Sequence, residues 1–137
     1  MNKMYNTIIQ ALDELELHYD RDDEHCMADL KIMCETTPFH LRMVAMEDQE
    51  VLYCFSVFPI YVPEDKRPAM CELINAINYD KVIGLLTMDP KDGQLTSRVT
   101  CSLDNGAINT KIVTVALQQA ISGLEDNYAA ILKVLAA

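Results

Sequence analysis

Apolar residues change their spacing several times along this chain, and each change marks an element. Tyr5, Ile8, Ile9, Leu12 and Leu15 recur every three or four residues, which predicts an amphipathic first helix. Asn2 is placed to cap it, and Asp13, Glu14 and Glu16 lie off the stripe. From Cys26 the period becomes two. Cys26, Ala28, Leu30, Ile32 and Cys34 share one side of a strand, opposite Asp29, Lys31 and Glu35. Phe39, Leu41, Met43 and Ala45 repeat the alternation against His40 and Arg42. Val51 to Ile60 is apolar on both sides, with Val51, Tyr53, Phe55 and Val57 opposite Leu52, Cys54 and Phe58. It is the candidate central strand.

Pro63 pushes Val62 into extended backbone and ends that strand. Glu64 and Asp65 suit a first helical turn, and Pro68 either lies in that turn or starts the regular helix. Met70, Leu73, Ile74 and Ile77 then form a helical stripe that closes at Asn78 and Tyr79. Val82 to Met88 is a nearly unbroken apolar run, read as a strand covered on both faces. Leu95, Val99 and Cys101 alternate with Thr96, Arg98 and Thr100, so the next strand has one wet face. Asp89-Pro90-Lys91-Asp92-Gly93 joins the two as a hairpin turn.

Asp104-Asn105-Gly106 is a stop, and Asn109 is placed to cap a long last helix. Its apolar face runs through Leu117, Ile121, Leu124, Tyr128, Ile131 and Leu135. Gly123 inside it predicts a kink or a close packing contact. The charged runs Asp20 to Glu24 and Glu47 to Glu50 read as turns, as does Thr36-Thr37-Pro38. The order is helix, three-strand antiparallel meander, helix, two-strand hairpin, long C-terminal helix. That is an α+β arrangement with five strands and helices against one sheet face.

A length of 137 residues predicts one domain, spanning 1–137. The formal charge of −10, from 21 acidic and 11 basic residues, argues against nucleic acid and anionic membrane as partners. No apolar run reaches transmembrane length, and the N-terminal residues do not form a secretory leader. Five cysteines, an odd number without a CxxC pair, fit reduced core residues and a cytoplasmic location.

Candidate chemistry is sparse. His18, His25 and Cys26 lie near one another, but their spacing matches no metal-ligand pattern. His40 has no cysteine placed beside it to form a nucleophilic pair. Lys66, Arg67 and Arg98 are the basic spot of an acidic chain, expected to pair with Glu64, Asp65 or Asp89. No catalytic residue, cofactor or metal is expected. Methionine adapts to irregular partners, and Met33, Val44, Met46 and Leu52 would form an apolar patch if helices cover only one sheet face. These four are the candidate interaction surface.

The element order resembles the bacterial YbjN-like family. The resemblance rests on Val62-Pro63-Glu64-Asp65-Lys66-Arg67-Pro68, Leu73-Ile74-Asn75-Ala76-Ile77-Asn78 and Met88-Asp89-Pro90-Lys91-Asp92-Gly93. It is continuous over about residues 51–103 and looser outside. It implies the fold of type III secretion chaperones, which are small, acidic and usually homodimeric, and it brings no catalytic residues. The expected function is a non-catalytic protein-interaction module, a homodimer and a regulator. One alternative is a secretion-type chaperone that binds an extended protein or peptide client. Another is a small-ligand sensor with a pocket between sheet and helix.

Overall fold

The computed structural model describes residues 3–103 and 107–137. Asn2 and the Asp104-Asn105-Gly106 stop lie outside the described residues. Helix α1 (Lys3–Glu14) leads into strands β1 (Tyr19–Asp22), β2 (Met27–Met33), β3 (Pro38–Met46) and β4 (Val51–Val57). Then come α2 (Arg67–Asp80), β5 (Leu85–Met88), β6 (Leu95–Ser102), α3 (Thr110–Glu125) and α4 (Tyr128–Ala136). The strands form one antiparallel sheet in the order β1-β2-β3-β4-β6-β5.

The meander, the hairpin and the α+β class appear as expected, with two additions. Tyr19–Asp22 is a strand and not a charged turn, so the sheet has six strands. Its apolar content is too small for alternation to reveal it; pairing with β2 creates it, and Tyr19 packs on the core. The C-terminal helical region runs in two segments, broken at Asp126 and Asn127, where the Asn127 side-chain amide donates to the Gly123 carbonyl at 2.8 Å. Asn109 caps α3 as expected, its Oδ1 accepting from the Ile112 N–H at 2.9 Å.

Helices α1 and α3 lie on β3 and β4, and α3 continues onto β6. Their side chains enclose Ile8, Leu12, Leu41, Met43, Leu52 and Val113. Helices α2 and α4 pack together over the other end of the same sheet face and enclose Phe39, Phe58, Met70, Leu86 and Ile131. Tyr128 closes that end, its ring 5.5 Å from Phe58 and 6.4 Å from Phe39. Two small residues let α3 approach. Ser56 and Ser97 are cross-strand neighbours, both buried. The Ser56 hydroxyl donates to the Ala120 carbonyl at 2.6 Å, and a Cβ on Gly123 would overlap Ser97. Gly123 is therefore a close-packing residue.

The segment between β4 and α2 docks on the hairpin turn. The Val62 N–H donates to the Gly93 carbonyl at 2.9 Å, and Arg67 Nε donates to the Val62 carbonyl at 3.1 Å. Gly93 has φ +82°, and an added Cβ would overlap the Val62 carbonyl oxygen. Glu64–Lys66 forms a 3-10 turn, and Pro68 sits in the first turn of α2, where its missing N–H costs nothing.

Strand β5 corrects the expectation of a strand covered on both faces. It spans only Leu85–Met88 at the sheet edge; Leu86 is buried under the helices while Leu85 on the other face is 45 % exposed, and Val82 before the strand is exposed. Its outer edge is closed by Asn78, whose amide donates to the Leu86 carbonyl at 2.9 Å and accepts from the Leu86 N–H at 2.8 Å. One side chain thus takes the place of a neighbouring strand.

Two substitutions test these joints. Gly93→Ala should cost about 2–3 kcal/mol, because it combines a left-handed backbone with a blocked contact. Asn78→Ala should cost about 1–3 kcal/mol by stranding two backbone groups at the edge. Urea titration of each variant against the parent chain measures both.

Candidate functional site

Among the described residues no helix lies on the second face of the sheet. Its side chains come from the odd positions of β2 and β4 and the even positions of β3 and β6, and none of its apolar residues joins either core cluster. Val44 lies opposite Tyr53, and Met46 opposite Val51; all four are half-buried by their neighbours alone. The Tyr53 and Phe55 rings stand 5.2 Å apart. Phe55 is flanked across the strands by Arg42 on β3 and Arg98 on β6.

The two arginines are held differently. Arg42 makes a two-point contact with Asp29 on β2, at 2.6 and 3.1 Å, and this carboxylate raises the pKa of its guanidinium. Arg98 lies over the Tyr53 ring at 5.2 Å and donates from Nε to the Tyr53 hydroxyl at 2.8 Å. Shallow depressions of about 400 and 470 Å³ open on either side of Phe55 and share Gln94.

Three of the four residues expected at an interaction surface lie on this face. Met33 is 75 % exposed at one end, and Val44 and Met46 lie toward the other. Leu52 does not belong with them. It faces α1 and α3 and is fully buried in the core. The reason is parity: Leu52 is one residue from Tyr53, and successive strand side chains point to opposite faces. The residues missing from that expectation are Tyr53, Phe55, Val57 and Arg98. Their alternation along β4 and β6 is visible in the sequence; what it could not show is which alternating set stays bare.

Other expectations resolve individually. His25 Nδ1 meets the Asp22 carboxylate at 2.9 Å on the exposed β1–β2 turn, and that hydrogen bond holds the imidazole pKa above its ordinary value. Among the described residues no group of three or more His, Cys, Asp or Glu side chains converges on a metal-binding point. The expected pairing of Lys66, Arg67 and Arg98 with nearby acids does not occur among the described residues. The ion pairs there are Arg21–Asp23, His25–Asp22 and Arg42–Asp29. Arg67 binds a backbone carbonyl instead, and Arg98 an aromatic ring.

The cysteines are not uniformly core residues. Cys54 is buried, and burial drives its thiol pKa far above the ordinary value. Cys26, Cys34 and Cys101 are half-buried, and Cys71 is exposed on α2. The stripe of α2 that packs inward is Met70, Leu73, Ile74 and Ile77, which turns Cys71 outward.

A two-layer α+β fold with its helices on one sheet face is the architecture of secretion chaperone-like proteins. The chain belongs to the YbjN family, described as "Putative bacterial sensory transduction regulator", which it matches over residues 5–133. It is similar to the crystal structure of E. coli YbjN, described as "a putative transcription regulator", with a TM-score of 0.67 and 12% identity, covering 95% of each chain. It is also similar to a chain in the HopA1-SchA chaperone-effector complex, with a TM-score of 0.57 and 20% identity, covering 91% of this chain and 90% of that one. A comparison with curated protein sequences gave no match. Among the described residues no helix is long and apolar enough to cross a membrane.

A thiol-reactive dye at mildly alkaline pH should label Cys71 first and Cys54 only on global unfolding. Mass spectrometry of the labelled peptides over time reads the order.

Proposed function

We propose that this protein is a non-catalytic protein-interaction module whose uncovered sheet face receives a partner. The observation that carries this reading is the one-sided placement of the helices. They leave Val44, Tyr53, Phe55 and Val57 on an open, partly apolar surface next to Met46. A surface of this kind in a folded domain is a typical interaction site. The regulator description of the family and the chaperone-effector complex among the similar structures support a role exercised by binding another protein. In the chaperone form of this reading, the occupant is an extended client segment.

The same reading includes a homodimer. Tyr79 and Val82, 88 % and 97 % exposed, lie with the exposed Ile83 on a shoulder where α2 leads into β5. Such a cluster is a natural place for self-association that leaves the sheet face free. Five cysteines without disulfides among the described residues suit a reducing, cytoplasmic setting.

Phe55→Asp should leave the thermal melt within a few degrees of the parent, because Phe55 lies outside the core, yet abolish retention of partner proteins from the native cell. Equal retention by both chains, or none by the parent, would count against the reading. Size-exclusion with light scattering should give about twice the 15.5 kDa chain mass. The double substitution Val82→Glu with Ile83→Glu should return the mass to one chain.

A further inference from the structure

Charge is distributed unevenly over the open face. Strands β3, β4 and β6 contain no acidic residue at all, in a chain with 21 acidic and 11 basic residues. Across the sheet, one register row reads Asp20, Asp29, Arg42, Phe55, Arg98, Leu85. Phe55 thus stands between two guanidiniums. On one side, Asp29 satisfies Arg42 with a two-point contact. On the other, the row continues to Leu85 and Arg98 meets no carboxylate among the described residues. Arg98 is nonetheless fixed: its Nε is bound to the Tyr53 hydroxyl and its Cζ lies 5.2 Å from the centre of the Tyr53 ring. Arg98 is exposed, and among the described residues only Nε of its guanidinium nitrogens has a hydrogen-bond partner, so its terminal Nη groups can donate to a further one.

We infer that the face binds an extended acidic segment of a partner protein, an Asp or Glu carboxylate pairing with Arg98 while a neighbouring apolar side chain lies on Phe55. The inference rests on the proposed role of this face as a docking surface. The incoming carboxylate does for Arg98 what Asp29 does for Arg42 on the other side of the ring. A guanidinium already held in place loses little freedom when it pairs, so the contact adds affinity as well as selectivity. The depressions beside Phe55, lined by Val57, His40 and the arginine-paired Asp29 on one side and by Thr96, Lys91 and Asp89 on the other, take the alternate side chains of an extended segment. Nucleic acid is a poor occupant, because every phosphate along it meets the −10 chain, whereas a segment that alternates acidic with apolar residues brings a carboxylate to Arg98 and apolar side chains to Phe55.

The test uses two fluorescent octapeptides, one alternating Glu with Phe and Val, the other with Lys in place of Glu. Anisotropy titration with the full chain should show saturable binding of the Glu peptide, weakening with added salt, and none of the Lys peptide. Arg98→Gln should weaken Glu-peptide binding about tenfold, as for the loss of one charge-assisted contact. Arg42→Gln should weaken it much less, because Arg42 is already paired. Circular dichroism confirms that each variant is folded. Equal binding of both peptides, an unchanged Arg98→Gln variant, no binding of the Glu peptide, or preference for a single-stranded oligonucleotide would overturn the inference. If partners are still captured from cells through Phe55 while the Glu peptide fails, the docking face stands and its acidic preference falls.

Discussion

The close approach of α3 to the middle of the sheet holds the two halves of the core together. Val113, Ala116, Leu117 and Ala120 belong to the cluster around α1, and Leu124 belongs to the cluster around α2 and α4. One helix therefore joins two apolar centres, and it can do so only by lying near the strands. Ser56 and Ser97 below it and Ala120 and Gly123 above it remove the bulk that would otherwise separate the layers. The buried Ser56 hydroxyl is not left unpaired, because the α3 backbone accepts its proton. Tight packing of this kind also explains why the break between α3 and α4 falls just after Gly123: α4 turns back toward α2 instead of continuing along the sheet.

The residues that carry the family resemblance are structural. Val62, Arg67 and Gly93 form one joint between the strand exit and the hairpin turn, through two hydrogen bonds and one position that admits no side chain. Asn78 seals the edge strand with a pair of hydrogen bonds. A motif built for such joints is shared by proteins that need the fold, whatever they bind. This accounts for a family match over nearly the whole chain alongside 12% identity to a similarly folded structure.

The arithmetic of layers explains the open face. Among the described residues four helices of modest length cover one side of six strands, and none lies on the other. The face is kept in water by polar groups interleaved with its aromatics: the Arg42–Asp29 pair, Arg98 on Tyr53, and the Thr87–Thr96 hydroxyl contact at 2.6 Å. Those groups limit its stickiness without hiding Phe55. Closure of the β5 edge by Asn78 works the same way, removing an unpaired strand edge that would otherwise recruit other chains.

By itself the sequence determined the order of the elements apart from β1 and the α3–α4 break, the α+β class, the hairpin at Asp89 to Gly93, the cap at Asn109 and the two faces of β4. Each of these follows from local periodicity or from the backbone preferences of Pro, Gly and Asn, which act over a few residues. Only the tertiary structure decided which face stays bare. Leu52 and Tyr53 look equally apolar in the chain, and their fates differ because α3 lands on one side of the sheet. The same holds for β1, which exists through its pairing with β2, and for β5, which turned out to be an edge. It holds as well for Arg98, whose partner is a ring 45 positions away in the sequence. Such contacts depend on register and layer order, and no short window of residues contains them.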